Sequence, residues 1–237
     1  MKRFFSAVLF ISFISINLQA ADLQPEDKPG AGSVAYTSGD FATAMKEWQP
    51  LAEQGDAKAQ YNLAVLYSRG QGVTQDNAEA TKWLQKAADQ GDTRAAESLG
   101  DVFHEQKNFP EALKWYQKAA DAGDAFAEFH LGVMYDLGEG VPENFPEALN
   151  WYKKAAEQNN APALCNIAVL YYNGQGVPVN RLEAHRYFLI AAQMGEPRAK
   201  DLIQLTTEKL TKKQIEQAVS EADEWMRDHA SLTRAGI

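Results

Sequence analysis

Residues 57–70 read AKAQYNLAVLYSRG, and variants of this segment recur along the 237-residue chain. Ala59, Leu63 and Tyr67 are four residues apart, so they lie on one face of a helix. The alanine position returns at Ala95, Ala127, Ala163 and Ala199, and the leucine position returns at Leu99, Leu131, Ile167 and Ile203. The next residue is small, at Ala64, Gly100, Gly132 and Ala168, which predicts the close approach of a paired helix.

A second predicted helix follows each of these segments, beginning near Asn77, Phe109, Phe145 and Leu182. Its copies share alanines at 80, 112, 148 and 184 and large rings at Trp83, Trp115, Trp151 and Tyr187. Small and large residues on one stripe predict that the rings are core residues at the seams between units. Gly55, Gly91, Gly123 and Gly195 close these helices, with Asn159 in the same slot, at spacings of 32 or 36 residues. This period predicts an α-solenoid, in which stacked units share one core.

Three of the units carry a Gly-x-Gly-Val turn between their helices, at 70–73, 138–141 and 174–177. Glycine favours the left-handed conformation that ends a helix, and the valine can fill the seam between helices. A nucleotide-binding interpretation fails, because no strand precedes the pattern and no phosphate-binding lysine follows it. The pattern therefore predicts a structural turn.

From about Phe41 to Gly195 the chain resembles the Sel-1-like repeat, a variant of the tetratricopeptide repeat. The resemblance implies an all-α, right-handed solenoid of helix-turn-helix repeats that binds protein or peptide without catalysis. Four repeats are expected over 56–195, of which the unit at 92–123 lacks Gly-x-Gly-Val and resembles an ordinary tetratricopeptide turn. Residues 36–55 are expected to form a degenerate opening repeat whose first helix is truncated. Residues 196–237 should form a C-terminal cap with a capping helix that opens on the capping box Thr211–Gln214.

The amino terminus is typical of a secretory signal peptide over residues 1–20. Lys2 and Arg3 precede an apolar stretch that is too short for a spanning helix, and small residues mark a cleavage site after Ala20. An uncleaved anchor is the alternative. Residues 21–35, rich in Pro, Gly and charge, are expected to be a flexible leader. The mature chain should be periplasmic or secreted, without a membrane span.

The chain is acidic, with a net charge of −9 that becomes −11 after the predicted cleavage. This charge argues against nucleic acid and against an anionic membrane as partners, since both require clustered positive charge. Cys165 is the single cysteine, so no disulfide can form within the chain. It is interpreted as a small core residue, with pairing between chains as the alternative. A monomer is expected.

Catalytic patterns are largely missing from the sequence. No serine is followed by lysine in Ser-x-x-Lys spacing, and His104-Glu105 has no second histidine at zinc-protease spacing. We therefore expect no catalytic residue, no metal and no cofactor. Exported members of the resembled family have been associated with penicillin binding or weak lactamase activity, so a cell-wall or β-lactam enzyme remains a rival interpretation, as does a secreted host-interaction factor.

A binding groove is predicted along the first helices, at positions that vary while the repeat frame is kept. Exposed rings and charges there would suit an extended peptide or a helix, with the acids favouring a basic or amide-rich segment. The alternative is that these positions are merely solvated or half-packed. The candidate residues are Tyr61, Arg69, Glu97, Asp101, His104, Phe129, Asp136 and Tyr172.

Overall fold

A computed structural model describes the backbone of residues 30–234 and the side chains up to residue 229. Twelve helices and no strand lie in this part of the chain. They are α1 (Ala31–Thr37), α2 (Phe41–Glu53), α3 (Ala57–Arg69), α4 (Asn77–Asp89), α5 (Thr93–Glu105), α6 (Phe109–Asp121), α7 (Ala125–Leu137), α8 (Phe145–Glu157), α9 (Ala161–Asn173), α10 (Arg181–Gln193), α11 (Pro197–Thr207) and α12 (Lys212–Arg234). Helices α1–α6 belong to one compact unit and α7–α12 to another. The predicted signal peptide and residues 21–29 of the leader lie outside the described residues.

Most helices begin at an Asp or Asn whose side chain caps the first turn. Asp56 accepts a hydrogen bond from the Ala59 amide, and Asn160 accepts one from the Ala163 amide. Such caps satisfy amides that have no partner within the helix. At the closing turn before α9, Asn159 adopts φ 65° in the slot that glycine fills elsewhere, which confirms the predicted equivalence. Asparagine tolerates this left-handed conformation better than most residues do.

The Gly-x-Gly-Val turns connect the two helices of a repeat, and two of them also contact the preceding repeat. Gly70 ends α3 in the left-handed conformation, as predicted. Gly72 lies against the first residue of α2, where a Cβ atom would come 2.5 Å from the Phe41 carbonyl oxygen. Gly176 lies in the same way against the start of α8. The second glycine is therefore required by close backbone approach, and Val177 packs against the core as the turn predicts.

Two repeats use a shorter turn of three residues. Lys107 takes φ 59° between α5 and α6, and Gly39 takes φ 83° between α1 and α2. The opening repeat thus has the turn of the unit at 92–123. Its first helix, α1, has seven residues. That helix begins at Ala31, so the expected flexible leader does not extend to residue 35.

Within a repeat, the small residue of the first helix faces a large side chain of the second. A Cβ atom on Gly100 would lie 2.4 Å from the Tyr116 ring, and one on Gly132 would lie 2.5 Å from the Tyr152 ring. Both tyrosines are fully buried. The predicted helix crossing is confirmed. The recurring tryptophans Trp83, Trp115 and Trp151 are also core residues, 5–8% exposed.

The carboxy-terminal helices form the expected cap in the unit of α7–α12. Both α11 and α12 pack on α10. The capping box is present, since Thr211 and Gln214 exchange hydrogen bonds of 3.0 and 3.4 Å. Ala222 is buried, and Trp225 packs against the core of this unit. The remaining surface of α12 is mostly exposed and polar.

Candidate functional site

The predicted groove residues fall on the first helices α3, α5, α7 and α9, and they differ in exposure. Tyr61, Asp101 and Asp136 are buried, at 5%, 8% and 6% exposure. The half-buried residues are Arg69, Glu97, His104, Phe129 and Tyr172. Only the second group offers side-chain surface to a ligand.

Tyr61 was expected to present its ring to a ligand, but the next first helix covers it. The Arg94 guanidinium lies over the ring, 4.3 Å from its centre, and is itself held by Asp92 at 2.9 Å. Stacking of a guanidinium on a tyrosine is favourable and shields the ring from water. Tyr61 therefore belongs to the seam between α3 and α5.

Asp101 and Asp136 accept hydrogen bonds from buried tyrosines of the second helices. Tyr116 donates to Asp101 at 2.7 Å, and Tyr152 donates to Asp136 at 3.1 Å. Burial raises the pKa of Asp136 to about 6. The negative charge of Glu143 also raises this pKa, whereas the hydrogen bond from Tyr152 lowers it. A buried hydroxyl group needs an acceptor, so these two acids serve the fold. The sequence had led us to expect that they would contact a ligand.

Arg69 is anchored by Tyr36 of α1, a residue outside the predicted groove. Its Nη1 donates to the Tyr36 hydroxyl at 2.9 Å, and Tyr36 in turn donates to Gln71 at 3.3 Å. The Tyr36 ring also packs near Phe41 and Trp48. Aligning Gly32 of α1 with Gly100 of α5 would have placed Tyr36 at the position of His104.

Two predicted residues on α5, Glu97 and His104, are half-buried. Burial and the nearby charge of Asp101 raise the pKa of Glu97. The His104 ring lies edge-on to Phe109, with their centres 5.3 Å apart. The open face of the first unit is therefore polar and carries both signs of charge.

The open face of the second unit is more apolar. The half-buried Phe129 ring on α7 packs 5.9 Å from the Tyr152 ring, and Tyr172 is half-buried on α9. Phe126, one helical turn before Phe129, is 52% exposed and was missed because it precedes the repeated alanine. Phe126, Phe129 and Tyr172 are called the aromatic surface below.

The order of helix pairs, the shared turns and the buried small-to-large contacts define a helix-pair repeat protein. Residues 57–92, 95–124, 125–160 and 161–196 each match the Sel1 repeat, and together they make up more than half of the chain. The chain belongs to the Sel1 repeat family, which typically supplies scaffolds for protein interaction. None of the helices in residues 30–234 is long and apolar enough to cross a membrane.

Two solved structures share this fold. The protective antigen c5321 of uropathogenic Escherichia coli is 32% identical with a TM-score of 0.75, over 81% of this chain and 42% of that one. A Sel1 repeat protein from Oxalobacter formigenes is 31% identical with a TM-score of 0.69, over 73% of this chain and 72% of that one. These similarities confirm the predicted all-α repeat fold.

Curated relatives match over shorter segments. An exopolysaccharide production negative regulator of Rhizobium leguminosarum bv. viciae is 36% identical over 69 residues, which are 29% of this chain and 26% of that protein. HRD3A of Arabidopsis thaliana, a component of an ERAD-associated E3 ubiquitin-protein ligase, is 33% identical over 79 residues, which are 33% of this chain and 11% of that protein. The chain thus spans about a quarter or less of these relatives.

Proposed function

We propose that this chain is a non-catalytic scaffold that binds a protein or peptide on the open faces of its first helices. The observation that carries this proposal is the aromatic surface. Phe126 keeps half of its area in water although most large apolar side chains in the unit are buried. Exposed rings on a rigid repeat frame are effective anchors, since they lose little conformational freedom on binding.

Each unit offers a different kind of contact to a ligand. The aromatic surface of the second unit suits an apolar or aromatic side chain. Arg69, Glu97 and His104 in the first unit suit a polar segment. The net charge of −9 supports a ligand with basic residues, because charge complementarity speeds association. The proposed partner is therefore a protein segment that combines apolar anchors with positive charge.

The place of action is proposed from the amino-terminal sequence. The signal-peptide pattern of residues 1–20 supports export to the periplasm or beyond the cell. The adaptor role in the cell envelope requires the periplasmic location. Cleavage after Ala20 would be verified by the mass of the mature chain recovered from the periplasm or the medium.

Site-specific photo-crosslinking tests the proposed surface. A photoreactive residue is placed at position 172 on the aromatic surface, or at the exposed Lys153 on α8 as a control. We expect an adduct with one partner from position 172 and none from 153. The adduct should be lost on Phe126→Ser but retained on Val179→Ser, a loop residue of matched 50% exposure. An adduct formed only from position 153 would place the partner on the second helices.

A secreted host-interaction factor is the second candidate. It is supported by the similarity to the protective antigen c5321, which is present in uropathogenic Escherichia coli strains. Fractionation separates the two candidates, because a host-interaction factor accumulates outside the cell and an envelope adaptor stays in the periplasm. The enzymatic rival predicts turnover of nitrocefin or muropeptides by the purified chain, and we expect none.

A further inference from the structure

Three buried polar residues meet where α7, α8 and α9 pack together. Asp136 lies on α7, Tyr152 on α8 and Asn166 on α9, and their exposures are 6%, 0% and 2%. The Tyr152 hydroxyl donates to Asp136 Oδ2 at 3.1 Å and accepts a hydrogen bond from the Asn166 side chain. The three residues therefore connect two successive repeats through one hydroxyl group.

This cluster lacks one hydrogen-bond donor. The Asn166 Oδ1 atom is buried and has no donor among residues 30–234. The Tyr152 hydroxyl group has a single proton, and it donates its one hydrogen bond to Asp136. An unsatisfied buried acceptor costs free energy comparable to a lost hydrogen bond. One further proton would remove this deficit.

We propose that Asp136, Tyr152 and Asn166 form a proton-controlled hydrogen-bond relay that closes when Asp136 takes up a proton from water. The neutral carboxyl group then donates to Asn166 Oδ1. Tyr152 still donates to the other Asp136 oxygen, and Asn166 still donates to Tyr152. The result is a closed ring of three hydrogen bonds, and no covalent bond changes except the new O–H of Asp136.

Burial and a neighbouring negative charge favour this proton uptake. Within residues 125–234, Glu143 before α8 acts on Asp136 with a negative charge, and Arg198 on α11 acts on Tyr152 with a positive charge. Burial and Glu143 disfavour the carboxylate and raise the pKa of Asp136 to about 6. Phe129 packs on the Tyr152 ring, so the relay also supports one residue of the aromatic surface.

The sign of the pH effect follows from the raised pKa. The folded chain binds the Asp136 proton more tightly than the unfolded chain, whose pKa is near the ordinary 3.8. This contribution to stability is complete below pH 3.8 and is lost as the pH rises through about 6. Between pH 7.5 and 5.0 the folding equilibrium constant should therefore rise about tenfold through this group alone.

Urea unfolding of the wild-type chain and of Asp136→Asn at both pH values measures this contribution. We expect the tenfold contribution to the folding equilibrium constant in the wild type and its absence in Asp136→Asn. Asp201 is an exposed acid on α11, so Asp201→Asn should retain the contribution. Parallel pH profiles for the wild type and Asp136→Asn would overturn the proposal.

Nuclear magnetic resonance of the folded chain gives a second test that does not depend on stability. The Asn166 side-chain amide signals should shift with the same midpoint as the Asp136 carboxyl carbon. In Tyr152→Phe the Asp136 midpoint should move to higher pH, since the carboxylate has lost its donor. Asn166 signals that stay constant while Asp136 titrates would rule out the relay.

Discussion

At the residue scale, Asp101 and Asp136 show why variation between repeats is an incomplete guide to a binding site. The acids occur in the two repeats whose second helix carries Tyr116 or Tyr152, and they accept hydrogen bonds from the hydroxyl groups of these tyrosines. Those repeats also have Gly100 or Gly132 under the ring, whereas the repeats with Leu84 and Phe188 have alanine. The paired change from alanine to glycine and from apolar side chain to tyrosine was visible in the sequence. The bond to an acid was not, because it depends on how two helices cross.

The recurring tryptophans should contribute strongly to the stability of the chain. Trp151→Ala should destabilise the chain by about 3–5 kcal/mol, because the ring is 8% exposed and its removal leaves a cavity. Tyr172→Ala, in the same unit but half-buried, should cost less than half as much. Chemical denaturation followed by circular dichroism measures both. Equal losses would mean that the buried and open faces of the repeats are assigned wrongly. The same comparison holds for Trp115→Ala and Arg69→Ala in the first unit.

The Cys165 thiol should be unreactive because of its burial. The thiol is 1% exposed, and burial raises its pKa to about 12, so it should be unreactive in the folded chain. A thiol reagent at pH 8 should label it in urea and leave it unlabelled in buffer. The melting temperature should not change when reductant is added. Fast labelling in buffer, or a covalent dimer on a non-reducing gel, would support pairing between chains instead.

At the element scale, the Gly-x-Gly-Val turn was predicted as a helix stop, and the structure adds a contact between repeats. The first glycine takes the left-handed conformation that the pattern indicates. The second glycine lies against the start of the preceding second helix, at Phe41 for Gly72 and at Phe145 and Pro146 for Gly176. Local sequence predicts the conformation of a turn, but this backbone contact involves residues about thirty positions away in the chain.

Gly72→Ala tests that contact. The new methyl group would lie 2.5 Å from the Phe41 carbonyl oxygen, so α2 or the turn must move, at a cost of about 1–3 kcal/mol beyond any backbone strain. Gly39→Ala is the matched control, because Gly39 also has a positive φ but nothing lies within 4 Å of its added Cβ. Denaturation midpoints should fall further for Gly72→Ala. If the two variants are equally stable, Gly72 is needed only for its positive φ and not for the contact with α2.

At the scale of the whole molecule, the repeat period predicted the helix pairs, the short-turn unit and the cap. It could do so because each repeat buries the same small-to-large contacts, which leave a periodic trace in the sequence. The open faces leave no such trace, since nothing in the fold requires a given residue there. For this reason Phe126 was missed, and Tyr61 was taken for an exposed ring although Arg94 covers it.

The proposed function requires that the open faces of the first helices bind a protein ligand. The most direct test is the affinity of the crosslinked partner for Phe126→Ser/Tyr172→Ala, measured by calorimetry against Val179→Ser and the wild type. Loss of two anchors of about 2 kcal/mol each should weaken binding about 700-fold, with an unchanged far-ultraviolet spectrum. The Val179→Ser control should bind as the wild type does. Unchanged affinity in the double variant would show that the open faces do not bind the partner.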